Sequence, residues 1–531
     1  MHDILIATHL TDNSLDLLRD APDATPVTIT PAAHTLREKL ATAHALISRD
    51  DVVLDKALLD KAVSPNLRVI GRVGASISGV DMEAATARGI IVMNTPGANA
   101  IAAGEHTLAL MLALSRRLVA AHNSLRDGFW LLDRKRQAGT QLHSKTLGIV
   151  GLGRVGAVVA QRALAFHMTT LAFDPYLSDE QVVDERIQLV GLKELLTRSD
   201  FISLHVPLTS ETRGMVDEPF LHSMRRGARL INTAHGALVD ENALAEALRA
   251  GYLAGAAVDV FREEPPYSSP LIGLDAVIHT PRIGDNTVEA SSDLSMQIVS
   301  QVLDALRGDD FRNVVNLPFV PGLDFETAQP YMALAERMGK LLHTLARSPI
   351  RRIAVEYKGD DLISLVKPVT VALERGILSG VHGEAVNYIN APVLAAERGI
   401  QVTQAKGLRS GEYATAVSVH ATLEDGEPIS MTGTLLGRRE AHIVQINDYR
   451  MNFIAEGHLL LMGSFDKPGV IGHVGTLLAE NGINIASWHT GRTTPGGHTL
   501  TVLTLDEPID EPVMAALREQ AFVRHAHQVA L

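Results

Sequence analysis

Short apolar runs recur through the first part of the chain, at residues 4–7, 45–48, 68–71 and 90–93, separated by segments of helical period. Alternation of this kind predicts a parallel sheet covered by helices. A long apolar helix, from about residue 100 to 119, leads into a second series of strands. These fall at 146–150, 169–174, 201–206, 229–233, 256–260 and 276–280. The series reads as a doubly wound parallel sheet, whose ligand belongs in the crevice beyond the strand C-termini. A helix around 288–306 can return the chain to the first lobe. The expected division is therefore 1–98 plus 284–317 in one lobe and 99–283 in the other.

Pro318, Pro321 and Gly322 mark the next boundary, since both residue types interrupt regular elements. An α+β region follows to about residue 454, with a helix near 328–346 and mixed segments at 352–357 and 414–419. It carries no recognisable acid/base constellation. Residues 455–531 read strand, helix, strand, strand, helix, strand, the order of a ferredoxin-like βαββαβ module.

Chemistry enters at the first strand of the second lobe, which runs directly into Gly151, Gly153 and Gly156. In a G-x-G-x-x-G turn the first glycine permits the tight bend and the second admits a pyrophosphate. The third lets helix and strand pack closely, so the helix N-terminus can point free N–H groups at phosphate. The next strand ends in Asp174, 18 residues after Gly156, where an acid would hold the adenosine ribose hydroxyls. A carboxylate there repels a 2′-phosphate, so the expected cofactor is NAD rather than NADP.

The chain has 531 residues and a net charge of −13, with 48 basic against 61 acidic side chains. That balance, without a long basic run, argues against nucleic acid as a partner. Cysteine is absent, which removes disulfides, thiolate metal sites and thiol catalysis. No uncharged apolar run approaches bilayer length, and Met1-His2-Asp3-Ile4-Leu5 lacks the pattern of a signal peptide. The expectation is a cytoplasmic protein that binds neither nucleic acid nor membrane.

Further residues carry a resemblance. Asn94-Thr95-Pro96, Ala102-Ala103-Gly104-Glu105-His106, the glycine fingerprint, Pro207-Leu208-Thr209, Asp259-Val260-Phe261 and Glu264-Pro265-Pro266 are similar to segments of the D-isomer-specific 2-hydroxyacid dehydrogenases. The segment through Asn390-Ala391-Pro392-Val393-Leu394-Ala395 resembles the intervening substrate-binding domain of that family's long form, and the C-terminal module resembles an ACT domain. The resemblance spans nearly the whole chain. It implies NAD-dependent oxidation of a phosphorylated 2-hydroxyacid, phosphoglycerate, feeding serine synthesis. It also implies L-serine as effector and a homo-oligomer, a tetramer, because ACT modules pair across subunits.

Site residues follow from the same resemblance. Arg49 and Arg72 match phosphate-side arginines, and the turn with Ala75 and Ser76 matches a loop whose N–H groups hold the substrate carboxylate; Ser76 stands where the family usually has glycine. Arg154, Val155, Thr233 and Asp259 join the glycines and Asp174 in holding the cofactor. Asp466 and Asn484 match positions that hold the effector's amino acid groups.

The catalytic group implied by the resemblance is an arginine, a glutamate and a histidine after successive late strands. Glu264 is in place, but the other two are exchanged: Ala234-His235-Gly236 stands where the family has arginine, and Thr280-Pro281-Arg282 where it has histidine. A guanidinium stays protonated at any working pH, so Arg282 cannot carry a proton. Histidine at 235 can titrate near neutrality, so the expectation is exchanged roles within one crevice. Two other readings stay open. One is a non-catalytic paralogue that binds NAD and an amino acid; the other is a dehydrogenase of a different 2-hydroxyacid, since Ser76, Asp285 and Asn286 alter the crevice.

Overall fold

The structure, a computed structural model, describes residues 1–30, 33–130, 138–182, 184–318, 325–407, 413–437 and 439–531. Its first sheet contains β1 (His2–Ile6), β2 (Ala24–Thr28), β3 (Ala45–Ser48), β4 (Val69–Arg72) and β5 (Ile91–Asn94). They lie all parallel in the order β2-β1-β3-β4-β5. The central strands β3 and β4 are buried at every position, which is why they read as continuous apolar runs rather than alternating ones. The helix Val288–Arg307 packs on this sheet through Leu294, Ile298, Val299 and Val302.

The second sheet contains β6 (Thr146–Val150), β7 (Thr169–Phe173), β8 (Ile187–Leu189), β9 (Phe201–Leu204), β10 (Arg229–Asn232), β11 (Gly255–Val258) and β12 (Val277–His279). Its order is β12-β11-β10-β9-β6-β7-β8, all parallel. The winding direction reverses between β6 and β9, so a crevice opens beyond their C-terminal ends.

The structure corrects the sequence reading in two places. The expected helix over 100–119 is two helices, Ala100–Arg116 and Leu118–Arg126, separated by Arg117 at φ 52°. A single left-handed residue caps the first helix and redirects the second. The strands β2 and β8 were not anticipated. Both are sheet edges with partly exposed residues, and β2 contains Pro26, so neither shows an apolar run.

The third sheet, β13 (Ile350–Lys358), β14 (Gln401–Gly407), β15 (Ala416–Leu423), β16 (Pro428–Leu436), β17 (Glu440–Ile446) and β18 (Tyr449–Ile454), has the order β14-β13-β15-β16-β17-β18. The helices Phe325–Leu345 and Val366–His382 supply its core. The fourth sheet, β19 (His458–Phe465), β20 (Ile485–Arg492), β21 (His498–Leu505) and β22 (Val523–Ala530), is antiparallel in the order β20-β21-β19-β22. Its helices Val470–Glu480 and Glu511–Arg518 pack on one face. On the other face Leu459, Leu461, Leu500 and Val502 join the core of the third sheet, so the two modules share one apolar seam. Among the described residues no helix is long and apolar enough to cross a membrane.

Candidate active site

The loop after β10 is held by Asn232, whose Nδ2 donates to the His235 carbonyl at 2.9 Å while its Oδ1 accepts from Ala234 N–H at 3.1 Å. Gly236 then passes against the loop after β11: a Cβ there would lie 1.9 Å from the Phe261 carbonyl carbon. Only glycine allows that approach, which brings the His235 and Glu264 loops side by side. Glu264 accepts from Phe261 N–H at 3.2 Å through Oε1 and from Arg282 Nη1 at 2.8 Å through Oε2. Arg282, at φ 53°, donates its own N–H to the Asp259 carbonyl at 2.9 Å.

Asp259 is buried and organises the loop after β12. Its carboxylate accepts from Thr280 Oγ1 at 2.5 Å, Ile283 N–H at 2.9 Å and Gly284 N–H at 2.8 Å. His106 Nε2 lies 3.4 Å away. Burial pushes this carboxyl up, but hydrogen bonds from His106, Thr280 and the two backbone N–H groups outweigh it and hold it below the usual carboxylate range.

Between the lobes these loops line a crevice of about 660 Å³. Arg49, Ala75 and Ser76 face it from the first lobe, and Arg154, Val155, Thr233, His235, Asp259 and Arg282 from the second. The His235 imidazole is held below its ordinary pKa by burial first and by the Arg282 cation second, with Glu264 pulling the other way. Burial disfavours the imidazolium, so His235 is neutral at neutral pH. Arg49 has no hydrogen bond or ion pair from its guanidinium among the described residues. Within the turn after β4, Gly74 donates to Thr95 Oγ1 at 2.7 Å. No acceptor among the described residues takes the N–H groups of Ala75 or Ser76. This region therefore presents one free cation and two free N–H groups toward an anion.

Arg72 is placed differently from the expectation that it faces the substrate. It is fully buried, and it donates to Ser48 Oγ at 3.0 Å, Val52 O at 2.9 Å, Ser78 O at 2.6 Å and the Arg49 carbonyl. It does not line the crevice. A guanidinium fork meeting four oxygens holds the 49–52 turn and the 74–78 turn together, so its reach toward the crevice is through Arg49.

At the glycine fingerprint, Gly151 takes φ 93°, and a Cβ on Gly156 would lie 2.1 Å from the Gly151 carbonyl oxygen. Nothing lies within 4 Å of where a Gly153 Cβ would be. The helix Arg154–Ala165 starts there without a side-chain cap. That open cradle under free N–H groups fits a pyrophosphate. Asp174 lies beside it, accepting from Leu152 N–H and Tyr176 N–H, both at 3.0 Å. The residues present thus fit a dinucleotide. Arg154 donates across to the Pro96 carbonyl of the first lobe, so it bridges the lobes as well as opening the helix.

Sequence reasoning missed His205 and Asp50, which also line the crevice. His205 follows β9 at the switch point, which is the signal that could have found it. Its ring contacts Ser203 Oγ at 2.8 Å, and burial pushes it down to about 4.

In the C-terminal module Asp466 and Asn484 are not brought together. Asp466 N–H donates to Gly497 O at the start of β21, whereas Asp506 N–H, just past its end, donates to Asn484 O. A strand of this length separates them by roughly 25 Å at about 3.3 Å per residue. Asp466 pairs with Arg492 at 3.3 Å and Asn484 Nδ2 donates to Asp506 at 2.6 Å.

The comparisons with known proteins agree with this geometry. Residues 108–284 match the NAD-binding domain of the D-isomer-specific 2-hydroxyacid dehydrogenases. Residues 327–447 match the D-3-phosphoglycerate dehydrogenase intervening domain, and 458–522 match the ACT domain. Fold and site together define an NAD-binding 2-hydroxyacid dehydrogenase with an ACT domain. More narrowly, the chain belongs to the D-3-phosphoglycerate dehydrogenase family. It is 37% identical to D-3-phosphoglycerate dehydrogenase of Methanocaldococcus jannaschii over 517 residues, 97% of each chain. It is 35% identical to the Bacillus subtilis enzyme over 480 residues, 90% of each. Among solved structures, the TT0316 protein of Thermus thermophilus aligns with a TM-score of 0.54 at 36% identity, covering 59% of this chain and 99% of that one. D-Lactate dehydrogenase of Aquifex aeolicus, complexed with NAD and lactic acid, aligns with a TM-score of 0.50 at 27% identity, covering 58% and 96%.

Proposed function

We propose that the chain catalyses the NAD-dependent oxidation of D-3-phosphoglycerate to 3-phosphohydroxypyruvate, in the cytoplasm, on the route to L-serine. The observation that carries this reading is the crevice itself, where Arg49 and the free N–H groups of Ala75 and Ser76 face His235 and Arg282. NAD, when bound, supplies the acceptor for the C2 hydride. The chain's own residues do the rest. Neutral His235 accepts the proton of the C2 hydroxyl, as a general base poised by its lowered pKa. Arg282 engages the carboxylate or the C2 oxygen, with Glu264 holding the guanidinium in place. Arg49 takes the phosphate, and the 74–77 turn takes the carboxylate through backbone N–H groups.

The ACT domain is proposed to bind L-serine in a homotetramer. A site that uses both Asp466 and Asn484 needs a second copy, because one chain holds them at opposite ends of its sheet.

A second reading is favoured by the Arg282–Glu264 pair, which partly neutralises the anion fork. On that reading the chain is a non-catalytic subunit binding NAD and an amino acid. An NADH-absorbance assay of the purified protein across a panel of 2-keto and 2-hydroxy acids decides between them. Turnover of 3-phosphohydroxypyruvate is the expected result. Turnover of another acid alone reassigns the substrate, and inertness with every acid supports the second reading.

A further inference from the structure

The helix Ala100–Arg116 begins where the chain crosses from the first lobe to the second, and it packs against β10, β11 and β12. Gly104 seats it on the helix of the glycine fingerprint, since a Cβ there would lie 2.4 Å from the Val158 side chain. Glu105 pairs with Arg162 of that same helix at 2.9 Å. Asn99, just ahead of the helix, donates to Asp285 at 3.0 Å and so joins this crossing to the one that returns the chain to the first lobe.

Two adjacent residues of this helix, His106 and Thr107, reach the ends of all three strands. Thr107 Oγ1 gives its hydrogen to the Ala103 carbonyl at 2.8 Å and lies 2.7 Å from Thr233 Oγ1. A hydroxyl has one hydrogen, so Thr233, two residues before His235, is the donor in that pair. His106 Nε2 lies 3.2 Å from Thr280 Oγ1 and 3.4 Å from Asp259 Oδ1. Thr280 gives its single hydrogen to Asp259 at 2.5 Å. Asp259, held below the usual carboxylate range, is ionised and has none to give. Both atoms facing Nε2 are therefore acceptors, which fixes a hydrogen on Nε2.

We infer that His106 is a positioning residue for the reaction: its Nε2–H, donated to Thr280 and Asp259, holds the 282–284 turn so that the Arg282 guanidinium stays beside Glu264 and in range of the His235 ring. Asp259 passes the constraint on, because its carboxylate takes the Ile283 and Gly284 N–H groups and its carbonyl takes that of Arg282. Arg282 sits at φ 53°, a conformation that a residue other than glycine rarely adopts unless its surroundings hold it there. Thr107 does the same for the His235 loop through Thr233, so one turn of one helix sets the spacing of the exchanged pair. His106 acts through Thr280 and Asp259, and the inference rests on the roles proposed above for His235 and Arg282.

The test uses the full chain and compares His106→Met, which keeps the bulk and removes the donor, with His106→Gln, whose amide nitrogen can stand where Nε2 stands. His106→Met should lower kcat and kcat/KM with NADH and 3-phosphohydroxypyruvate together by about 10- to 100-fold, the scale of a displacement of about 1 Å. Its Tm should stay close to wild type, and His106→Gln should recover most of the loss. A second readout needs no turnover. Arg282 and Glu264 are the charged groups that act on the His235 ring, the first lowering its pKa and the second raising it. Once Arg282 leaves its place, the His235 pKa should rise toward its ordinary value in His106→Met and fall back in His106→Gln. NMR of isotope-labelled histidine follows it, with the signal assigned by its absence in His235→Asn. Thr280→Val removes the middle of the same chain of hydrogen bonds. It should behave as His106→Met does, the double variant being no worse than either single one, and it takes the place of His106→Met if that variant does not fold. A wild type inert with every acid overturns the dehydrogenase reading, while the His235 titration still decides whether His106 places Arg282. The inference is overturned if the titration is unchanged in His106→Met, if His106→Gln is as impaired as His106→Met, or if activity falls only in step with Tm.

Discussion

Arg282 Nη1 donates to Glu264 Oε2 at 2.8 Å, so the glutamate after β11 holds an arginine. The residue available to move a proton, His235, stands on the loop after β10 with its pKa pushed down. This pairing is the consequence of exchanging arginine and histidine between two neighbouring strand ends, and most of what can be tested about the crevice follows from it.

If the roles are exchanged together with the residues, His235→Arg and Arg282→His each remove one function and duplicate the other. Loss of the general base alone should reduce kcat/KM with NADH and 3-phosphohydroxypyruvate by about 10²–10⁴. The double reversion should recover activity, and the strong non-additivity would mark residues acting as a unit. An Arg282→His single variant more active than wild type would show that the roles are not exchanged.

The oxidation direction needs neutral His235. Because burial and Arg282 lower its pKa, the acid limb of the pH profile for kcat/KM should lie below the ordinary histidine value of about 6.5. Glu264→Gln removes the one group pulling that pKa up, so the limb should move further toward acid. A limb at or above the ordinary value would place the base elsewhere.

Arg72→Lys keeps the charge and loses the fork that meets four oxygens. Stability should fall by about 1–3 kcal/mol, the cost of leaving buried acceptors unpaired, read as a lower Tm. A raised KM at unchanged Tm would instead return Arg72 to direct substrate contact.

With Asp174 beside the glycine loop, NAD(H) should bind at least about tenfold more tightly than NADP(H), roughly 1.4 kcal/mol. Equal affinities in titration calorimetry would remove Asp174 from the ribose.

L-serine should raise the Tm of the wild-type protein, and neither Asp466→Ala nor Asn484→Ala should respond. Since one chain separates the two residues by the length of β21, an effector site built from both must combine two copies. Mixing the two variants under conditions of subunit exchange should then restore part of the shift, because one site per mixed pair keeps both residues. A mixture as silent as its components would show that the residues do not form one shared site.

Much of the architecture was legible in the sequence because its causes are local. Strands such as β3, β4, β9 and β11 are buried at every position, and two-sided burial demands an unbroken apolar run that any reader of the chain can see. Gly151, Gly153 and Gly156 announce a phosphate-binding turn because only glycine satisfies its backbone geometry and close approaches. The edge strands β2 and β8 were illegible for the converse reason: half-solvated, they need no such run.

The family resemblance singled out His235, Glu264 and Arg282, and the strand pattern placed them after successive late strands; that much the sequence determined. Which of them pair was a tertiary decision. The Glu264 carboxylate could serve either the imidazole or the guanidinium, and the left-handed turn at Arg282 and the Gly236–Phe261 contact direct it to the arginine. The same holds for Arg72, an arginine at a strand end like Arg49 but turned into a shell of carbonyls, and for Asp466 and Asn484, separated by the strand between them. A side chain's partner depends on groups far away in the chain, and no local pattern encodes the direction in which a guanidinium or a carboxylate finally points.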